Sequence, residues 1–223
     1  RMENEARGIM GNVIELRKKL ESVKKARQKA EQEKMILQKK SELDALTGMA
    51  NRYRLNDFSD EIFAQALQDE TPLTVEILDV DYFKEFNDNY GHQQGDECII
   101  AIADELKKME DRQTFCARYG GDEFIIIYAG ASAEEVYAKA AALRQNIMDL
   151  KLEHLYSKAL PIVTISQGIS YGVPENGNRS WDFLHTADML LYQVKKRSRN
   201  DICIADIRGQ ELDLSSKQEK VEP

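Results

Sequence analysis

The segment Phe115-Cys-Ala-Arg-Tyr-Gly-Gly-Asp-Glu-Phe-Ile-Ile-Ile-Tyr128 contains two apolar runs separated by a pair of glycines. Apolar runs on both sides of Gly120-Gly121 predict two antiparallel strands joined by a tight turn. Asp122 and Glu123 follow the glycines, so they stand where the turn meets the second strand. On its own this pattern also fits an ordinary hairpin with solvated acids, because glycine and aspartate are good turn formers.

The remaining elements are placed outward from this hairpin by their hydrophobic periodicity. The predicted order is helix Tyr53–Gln68, strand Thr74–Val80, a helix after Gly95, strands Phe115–Tyr119 and Glu123–Tyr128, helix Ala131–Leu150, strand Ile162–Tyr171, helix Trp181–Lys196 and strand Asp201–Ala205. This order predicts an α/β (α+β) domain over residues 42–206, with a mixed sheet, flanking helices and a split βαββαβ unit. Residues 207–223 are predicted to be a loose C-terminal tail, polar from Gln210 onward.

Residues 1–41 have a different pattern, which predicts a long helix ahead of the domain. Apolar or tolerated residues recur at alternating spacings of four and three, as in a coiled coil. This seam consists of Met2, Ala6, Ile9, Val13, Leu16, Leu20, Val23, Arg27, Ala30, Lys34 and Leu37. The alternative is a single charged surface helix, but a helix this polar has little to bury without a partner. We therefore expect a dimerisation helix, in a fragment whose upstream sensor domain is missing before Arg1.

Charge is distributed unevenly along the chain, whose net charge is −8. Residues 1–41 hold 12 Lys and Arg against 6 Asp and Glu, which leaves 19 against 33 for the remainder. An acidic domain argues against polymeric nucleic acid as a ligand, but not against a nucleotide held through metal ions. The sequence shows no signal peptide and no membrane-spanning apolar run. The three cysteines each lie in an apolar stretch, so we expect a cytoplasmic protein, or the cytoplasmic part of a larger sensor.

A second acidic pair, Asp79 and Asp81, ends the strand Thr74–Val80. If this strand neighbours the one beginning at Glu123, three or four carboxylates converge. Like charges that close are unfavourable unless a cation neutralises them, and Mg²⁺ prefers such oxygen ligands. Carboxylate-bound metal ions stabilise the attacking and leaving oxygens in phosphoryl transfer. The plainer interpretation is a strand end capped by polar residues.

The segment that follows Asp81 mixes a cation, amides, acids and glycines. Backbone N–H groups in such a turn, together with Lys84, can hold a triphosphate. Asn87 and Asp96 can read a base, since an acid accepts the N–H donors of guanine. Lys195 and Arg199 lie one helical turn apart, so both can reach one phosphate group, although a basic helix C-terminus also stabilises the helix dipole.

Together these residues resemble the GGDEF family, the diguanylate cyclases. Six blocks in the right order carry the resemblance over residues 44–206: Asp44-Ala-Leu-Thr-Gly-Met-Ala-Asn-Arg52, Asp79-Val-Asp-Tyr-Phe-Lys84, Asn87-Asp-Asn-Tyr-Gly-His92, Gly95-Asp96, Arg118-Tyr-Gly-Gly-Asp-Glu-Phe124, and Leu191-Tyr192 through Lys195 to Arg199-Asn200. The resemblance implies a palm-like, nucleotidyl-cyclase-like fold in which two subunits, each holding one GTP, face each other. The 3′-hydroxyl of each GTP attacks the α-phosphate of the other, which gives cyclic di-GMP and two pyrophosphates.

The resemblance also implies roles at the metal site. Asp79, the carbonyl of Val80 and Asp122 would hold Mg²⁺, with Glu123 assisting. Two ions per active site are expected, and Mn²⁺ can replace Mg²⁺. Asp122 is similar to the residue assigned as proton acceptor, and Lys84 would stabilise the transition state.

For the substrate, the resemblance implies a phosphate end and a base end. Lys195 and Arg199 would bind the terminal phosphates. The residues expected at guanine are Asn87, Asp96, Leu46, Phe83 and His92, of which Asn87 and Asp96 would recognise the base.

Departures from the family pattern are few. Ser198 stands where the family usually has glycine, and Met49 replaces a usual leucine. Many members carry an inhibitory Arg-x-x-Asp site just before the signature, where this chain has Asp111-Arg112-Gln113-Thr114. We therefore expect no product inhibition through that site. Asp96 matches the GTP-selective members, whereas relatives that use ATP tend to carry serine there.

Two other hypotheses account for part of the sequence. One is a catalytically weak module that senses GTP or cyclic di-GMP and signals through its coiled coil. The intact signature acids disfavour it, since receptors of this kind usually lose one. The other is a coiled-coil scaffold with an idle head, which leaves the six blocks unexplained.

Overall fold

The computed structural model describes residues 15–31, 42–212 and 214. The chain divides into two compact units at residues 42 and 43. Within the first unit, residues 15–31 form helix α1, which confirms the predicted helix there. None of the helices in these described ranges is both long enough and apolar enough to cross a membrane.

Helix α1 carries five of the predicted seam positions: Leu16, Leu20, Val23, Arg27 and Ala30. The other six, Met2, Ala6, Ile9, Val13, Lys34 and Leu37, lie outside the described residues. Pairing in a coiled coil stays a prediction.

The second unit is a five-stranded sheet with helices on both faces. Its elements are α2 (Arg52–Asp69), β1 (Leu73–Val80), α3 (Phe83–Tyr90), α4 (His92–Lys107), β2 (Thr114–Gly120), β3 (Glu123–Ala129), α5 (Ala133–Asp149), β4 (Ile165–Gly172), α6 (Ser180–Arg197) and β5 (Ile202–Asp206). The strand order is β2-β3-β1-β4-β5, with β4 and β5 parallel and the other pairs antiparallel. The predicted mixed sheet and its βαββαβ unit are confirmed.

Helix α3 was not predicted, because its segment was interpreted as a phosphate-binding turn. Phe83, Phe86 and Tyr90 form a stripe on one side of this helix, with ring centroids 6.1 Å and 4.8 Å apart for the successive pairs. Phe86 is buried in the core, and the other two pack against it. An isolated helix of 8 residues is unstable in water, so this aromatic packing accounts for it.

The central strand β1 is buried along its whole length, which divides the core into two layers. Leu73, Val75 and Ile77 face one layer, packed with α2 and α6. Leu78 and Val80 face the other layer, packed with α4 and α5. Covering both faces holds the end of β1 rigidly in place.

The layer beneath α5 also contains a buried carboxyl group, that of Glu76. Its two oxygens accept hydrogen bonds from the Tyr128 hydroxyl at 2.8 Å and from Nε2 of Gln167 at 2.7 Å. Burial raises the pKa of Glu76 to about 7, although both hydrogen bonds favour the charged form. No feature of the sequence pattern pointed to this buried network.

The opposite layer requires a glycine in β4. A Cβ atom on Gly168 would overlap the backbone of α6 at Ala187 and Leu191. The missing side chain therefore allows α6 to lie directly on the sheet. This contact sets the distance between the sheet and α6, whose C-terminal end carries Lys195.

The described beginning of the C-terminal tail contacts the domain. The Leu212 N–H donates to the Ile204 carbonyl at 2.9 Å, and Leu214 is buried in the core. This apolar anchoring was missed because the segment is polar overall. Residues 213 and 215–223 lie outside the described residues.

We expect Glu76→Gln to reduce the dependence of stability on pH. The folded chain holds the Glu76 proton more tightly than the unfolded chain, so the free energy of unfolding falls as the pH rises from 4.5 to about 7. The shift corresponds to roughly 3 kcal/mol. Urea unfolding at about pH 5 and about pH 8 should show a decrease smaller by most of that amount in the variant. Equal decreases in both proteins would contradict the assignment.

We expect Gly168→Ala to lower the free energy of unfolding by about 3 kcal/mol or more, because the added methyl group must displace the backbone of α6. The matched control is Ser170→Ala in the same strand. The Ser170 hydroxyl is buried and lacks a hydrogen-bond partner in the described structure, so its removal should leave stability unchanged or slightly raised. Thermal unfolding of both variants is the measurement, and a larger loss in the control would refute this view of the packing.

Candidate active site

Acidic side chains from β1 and β3 meet at one edge of the sheet. The antiparallel register places Asp79 opposite Glu123, and the Val80 N–H donates to the Asp122 carbonyl at 3.3 Å. The turn before these acids places Gly121 at φ = 56°, in the left-handed region that favours glycine. The predicted hairpin therefore delivers Asp122 and Glu123 directly beside the end of β1.

The electrostatics of this edge are unfavourable to negative charge. Burial and the neighbouring charges of Asp122 and Glu123 raise the pKa of Asp79 to about 7, although Lys195 opposes the shift. Burial also raises the pKa of Asp122 and that of Glu123. Carboxylates in this arrangement are stabilised by a cation between them.

Two basic side chains, one near the C-terminal end of α6 and one in the turn that follows it, pair with the acids at the end of β1. The ammonium of Lys195 lies 2.7 Å from Oδ2 of Asp79, and the guanidinium of Arg199 lies 3.5 Å from Oδ1 of Asp81. Both residues were predicted to bind phosphate, and the structure pairs each of them with an acid. Ser198 has φ = −139°, so the usual glycine is not required at this position.

Asp81 does not join the acids at the edge, which corrects the expectation that as many as four carboxylates converge. Its side chain is fully buried. It accepts hydrogen bonds from the hydroxyls of Thr164 at 2.8 Å and Ser166 at 2.7 Å. The alternation of Thr164 and Ser166 with Val163 and Ile165 was the available signal for a buried acceptor.

The base-binding residues suggested by the sequence lie on α3, on α4 and in the loop before α2. Oδ1 of Asn87 is buried and has no hydrogen-bond partner among the described residues. Leu46 and Phe83 are partly buried against the core. Asp96 and His92, on the first turns of α4, are exposed to solvent. A buried acceptor with exposed polar groups nearby is a suitable arrangement for a planar ligand with N–H donors.

Lys84, which is expected to help bind phosphate, lies at the N-terminus of a helix. Lys84 is exposed on the first turn of α3. Within the described chain, no side chain caps this end of the helix, where Tyr82 is the N-cap. Uncapped N–H groups at a helix N-terminus attract anions. The N-terminus of α3 is therefore suited to bind phosphate, as the sequence led us to expect of a turn in this segment.

Arg118, the first residue of the signature block, has a positioning contact that the sequence did not reveal. Its guanidinium donates to the Gly121 carbonyl at 2.7 Å and to Asp44 at 2.9 Å. Burial opposes charge on Asp44, but hydrogen bonds from Thr47 and Arg118 prevail and lower its pKa. The acidic turn is thereby tied to the loop before α2.

The donor set at this edge fits a divalent cation that also binds phosphate. Two carboxylates and a carbonyl, from Asp79, Asp122 and Val80, leave coordination positions for phosphate and water, as Mg²⁺ requires. In the ranges that the structure describes, no group of three or more His, Cys, Asp or Glu side chains is placed to hold a metal ion by itself.

Comparison with known proteins gives a consistent assignment. The family model "Diguanylate cyclase, GGDEF domain" matches residues 41–201. Diguanylate cyclase DosC of Escherichia coli strain K12 is 35% identical over 162 residues, which are 72% of this chain and 34% of DosC. This chain therefore spans about a third of the length of that relative.

Solved structures show the same fold. The coiled coil and GGDEF domain of DgcB from Caulobacter crescentus, in complex with c-di-GMP, has a TM-score of 0.68 at 28% identity, over 85% of this chain and 99% of that one. The active GGEEF domain of a diguanylate cyclase from Vibrio cholerae has a TM-score of 0.60 at 30% identity, over 69% and 96%. GGDEF diguanylate cyclases use divalent metals, as the donor set here suggests. The chain belongs to the GGDEF family.

Proposed function

We propose that this chain is a diguanylate cyclase, which condenses two GTP molecules into cyclic di-GMP and releases two pyrophosphates. The observation that carries the proposal is the β1–β3 register, which places Asp79 opposite Glu123 with Lys195 beside them. Buried acids next to a basic side chain suit a polyphosphate that arrives with metal ions.

Asp79, the Val80 carbonyl and Asp122 would hold Mg²⁺ or Mn²⁺ in this proposal, with Glu123 completing a site for two ions. The bound ions would supply charge neutralisation at the α-phosphate and the leaving pyrophosphate. Raised pKa values at Asp79 and Asp122 support this role, because a divalent cation would offset the burial that raises both, and at Asp79 also the repulsion from Asp122 and Glu123.

The chemistry requires a base and two substrates. The 3′-hydroxyl of one GTP forms a bond to the α-phosphorus of the other, and the bond from that phosphorus to pyrophosphate breaks. The hydroxyl proton passes to Asp122, assisted by Glu123. Because burial raises the pKa of Asp122, its carboxylate is a stronger base than an exposed aspartate.

The proposed site has a base end and a phosphate end, and each would recognise one part of the GTP molecule. At the base end, the buried Oδ1 of Asn87 is suited to accept an N–H group of guanine, and the exposed carboxylate of Asp96 can accept another. Leu46 and Phe83 would supply apolar contact, with His92 nearby.

At the phosphate end, Lys195 would exchange its present partner Asp79 for the terminal phosphates, and Arg199 would bind them with the donors that do not face Asp81. Lys84 would stabilise the negative charge that develops during transfer, from the first turn of α3.

One subunit holds one GTP, so two subunits must face each other to close the ring. Helix α1 is suited to bring them together. Its seam residues Leu16, Leu20 and Val23 are 67%, 56% and 63% exposed, and their spacing of four and three matches a coiled-coil seam. Pairing through this helix would raise the effective concentration of one site at the other. An upstream sensor domain, a cytoplasmic location and attachment of the larger protein to a membrane stay predictions.

Asp122→Asn is expected to lower the rate of pyrophosphate release from GTP and Mg²⁺ by about 100-fold or more, because it removes a metal ligand and the proton acceptor together. The matched control is Asp104→Asn, an exposed acid on α4 that should retain full activity. Product identification by mass spectrometry completes the assay. Continued turnover in Asp122→Asn would remove this residue from the mechanism, and GTP binding without product in the wild-type chain would favour the sensing alternative.

Deletion of residues 1–41 should lower the specific activity most at low protein concentration, since the domains would then meet only by free diffusion. The paired substitution Leu20→Ala and Val23→Ala should act in the same direction, whereas Gln28→Ala, outside the seam, should not. Specific activity is measured from micromolar to nanomolar protein. A value that is constant down to nanomolar protein in the deletion variant would disprove dimerisation through the helix.

A further inference from the structure

The buried carboxylate of Asp81 is an anchoring point that the proposed chemistry does not use. Asp81 has no solvent exposure, and its backbone N–H donates to the Thr164 carbonyl at 2.9 Å. Its side chain accepts the Thr164 and Ser166 hydroxyls at 2.8 Å and 2.7 Å. These contacts fix the carboxylate at the end of β1, with its orientation set by the neighbouring strand region.

The same carboxylate also binds the turn after α6. The Asn200 N–H donates to Oδ2 of Asp81 at 2.9 Å. From the other side, Arg144 of α5 donates to the Asn200 carbonyl at 2.7 Å. Arg199 has φ = 55°, which is unfavourable for a residue with a long side chain, and Asn200 has φ = 44°, in a region that asparagine tolerates better than most residues. Such a turn persists only where its surroundings hold it, and here Asp81 and Arg144 do so.

Asp81 contacts the side chain of Arg199 as well as the turn that bears it. The guanidinium of Arg199 lies 3.5 Å from Oδ1 of Asp81, and its central carbon lies 4.4 Å from the centroid of the Tyr82 ring. The Arg199 side chain is 26% exposed. A guanidinium has five donors, so one held from behind still presents donors toward solvent.

We propose that Asp81 is a positioning residue, which holds Arg199 and its left-handed turn in place to bind the terminal phosphates of the nucleotide. The inference rests on the proposed function, because it gives Arg199 a phosphate ligand. Asp81 touches neither metal nor substrate in this arrangement. It acts through Arg199, and its charge offsets that of the arginine.

A purely structural role for Asp81, as a link between β1 and the region of Thr164 and Ser166, makes a different prediction. Loss of such a link would destabilise the whole fold and weaken the binding of every ligand alike. Loss of positioning would weaken only ligands that carry the terminal phosphates. Comparison of a triphosphate with a monophosphate therefore separates the two.

The experiment measures binding by the full chain of GMP and of a GTP analogue with a methylene group between the α- and β-phosphorus, which cannot release pyrophosphate. The proteins are the wild type, Asp81→Asn, Arg199→Met and the double variant. We expect Asp81→Asn to weaken the binding of the analogue about 10-fold, because a charge-assisted contact to phosphate is no longer held in place. The affinity for GMP should be unchanged. In the Arg199→Met background, Asp81→Asn should have no further effect on the analogue.

Equal weakening of both ligands, or independent effects of the two substitutions, would overturn the inference. So would a wild-type chain that binds the analogue no more tightly than GMP. If Asp81→Asn does not fold, as judged by circular dichroism, Arg144→Met is measured in its place with the same outcomes, and Arg144→Lys, which keeps a donor, should restore binding. GTP turnover by the wild type is assayed separately. Its absence would contradict the cyclase activity without deciding the role of Asp81.

Discussion

The antiparallel pairing of β1 with β3 is the constraint on which the site depends. It places Asp79 opposite Glu123 and next to Asp122, so buried carboxylates face one another across two strands. A slip of one residue in this pairing would turn the side chains of the slipped strand to the opposite face of the sheet. The register is secured by burial, since every residue of β1 is buried.

Such a cluster of acids is unfavourable by itself, and the fold compensates for it with cations from a single helix end. Lys195 of α6 neutralises Asp79, and Arg199, in the turn after α6, lies against Asp81. The distance between α6 and the sheet is set in turn by Gly168, which lets the helix pack directly on β4. Charge balance at the edge therefore depends on close packing in the interior.

The two acids that end β1 have different environments although they are only two residues apart. Asp79 remains at the edge, where its raised pKa shows that negative charge is poorly compensated. Asp81 is enclosed and accepts hydrogen bonds from two hydroxyls and a backbone N–H. A carboxylate with that many donors is a stable anchor, whereas one with few is suited to recruit a cation. Asp81 therefore holds the turn after α6 in place, whereas Asp79 is suited to bind a cation.

The sequence by itself determined the order of the strands and helices, the hairpin at Gly120-Gly121, and the candidate residues for metal, phosphate and base. These features follow from local periodicity and short motifs, which need no knowledge of distant contacts. Only the tertiary structure decided that residues 83–90 form a helix, since an aromatic stripe must find a core before so short a helix is stable. The inward orientation of Asp81 and the burial of Glu76 beside Tyr128 and Gln167 were decided in the same way. Each of these acids is held by partners more than fifty residues away in the chain, and no local pattern can specify such a contact.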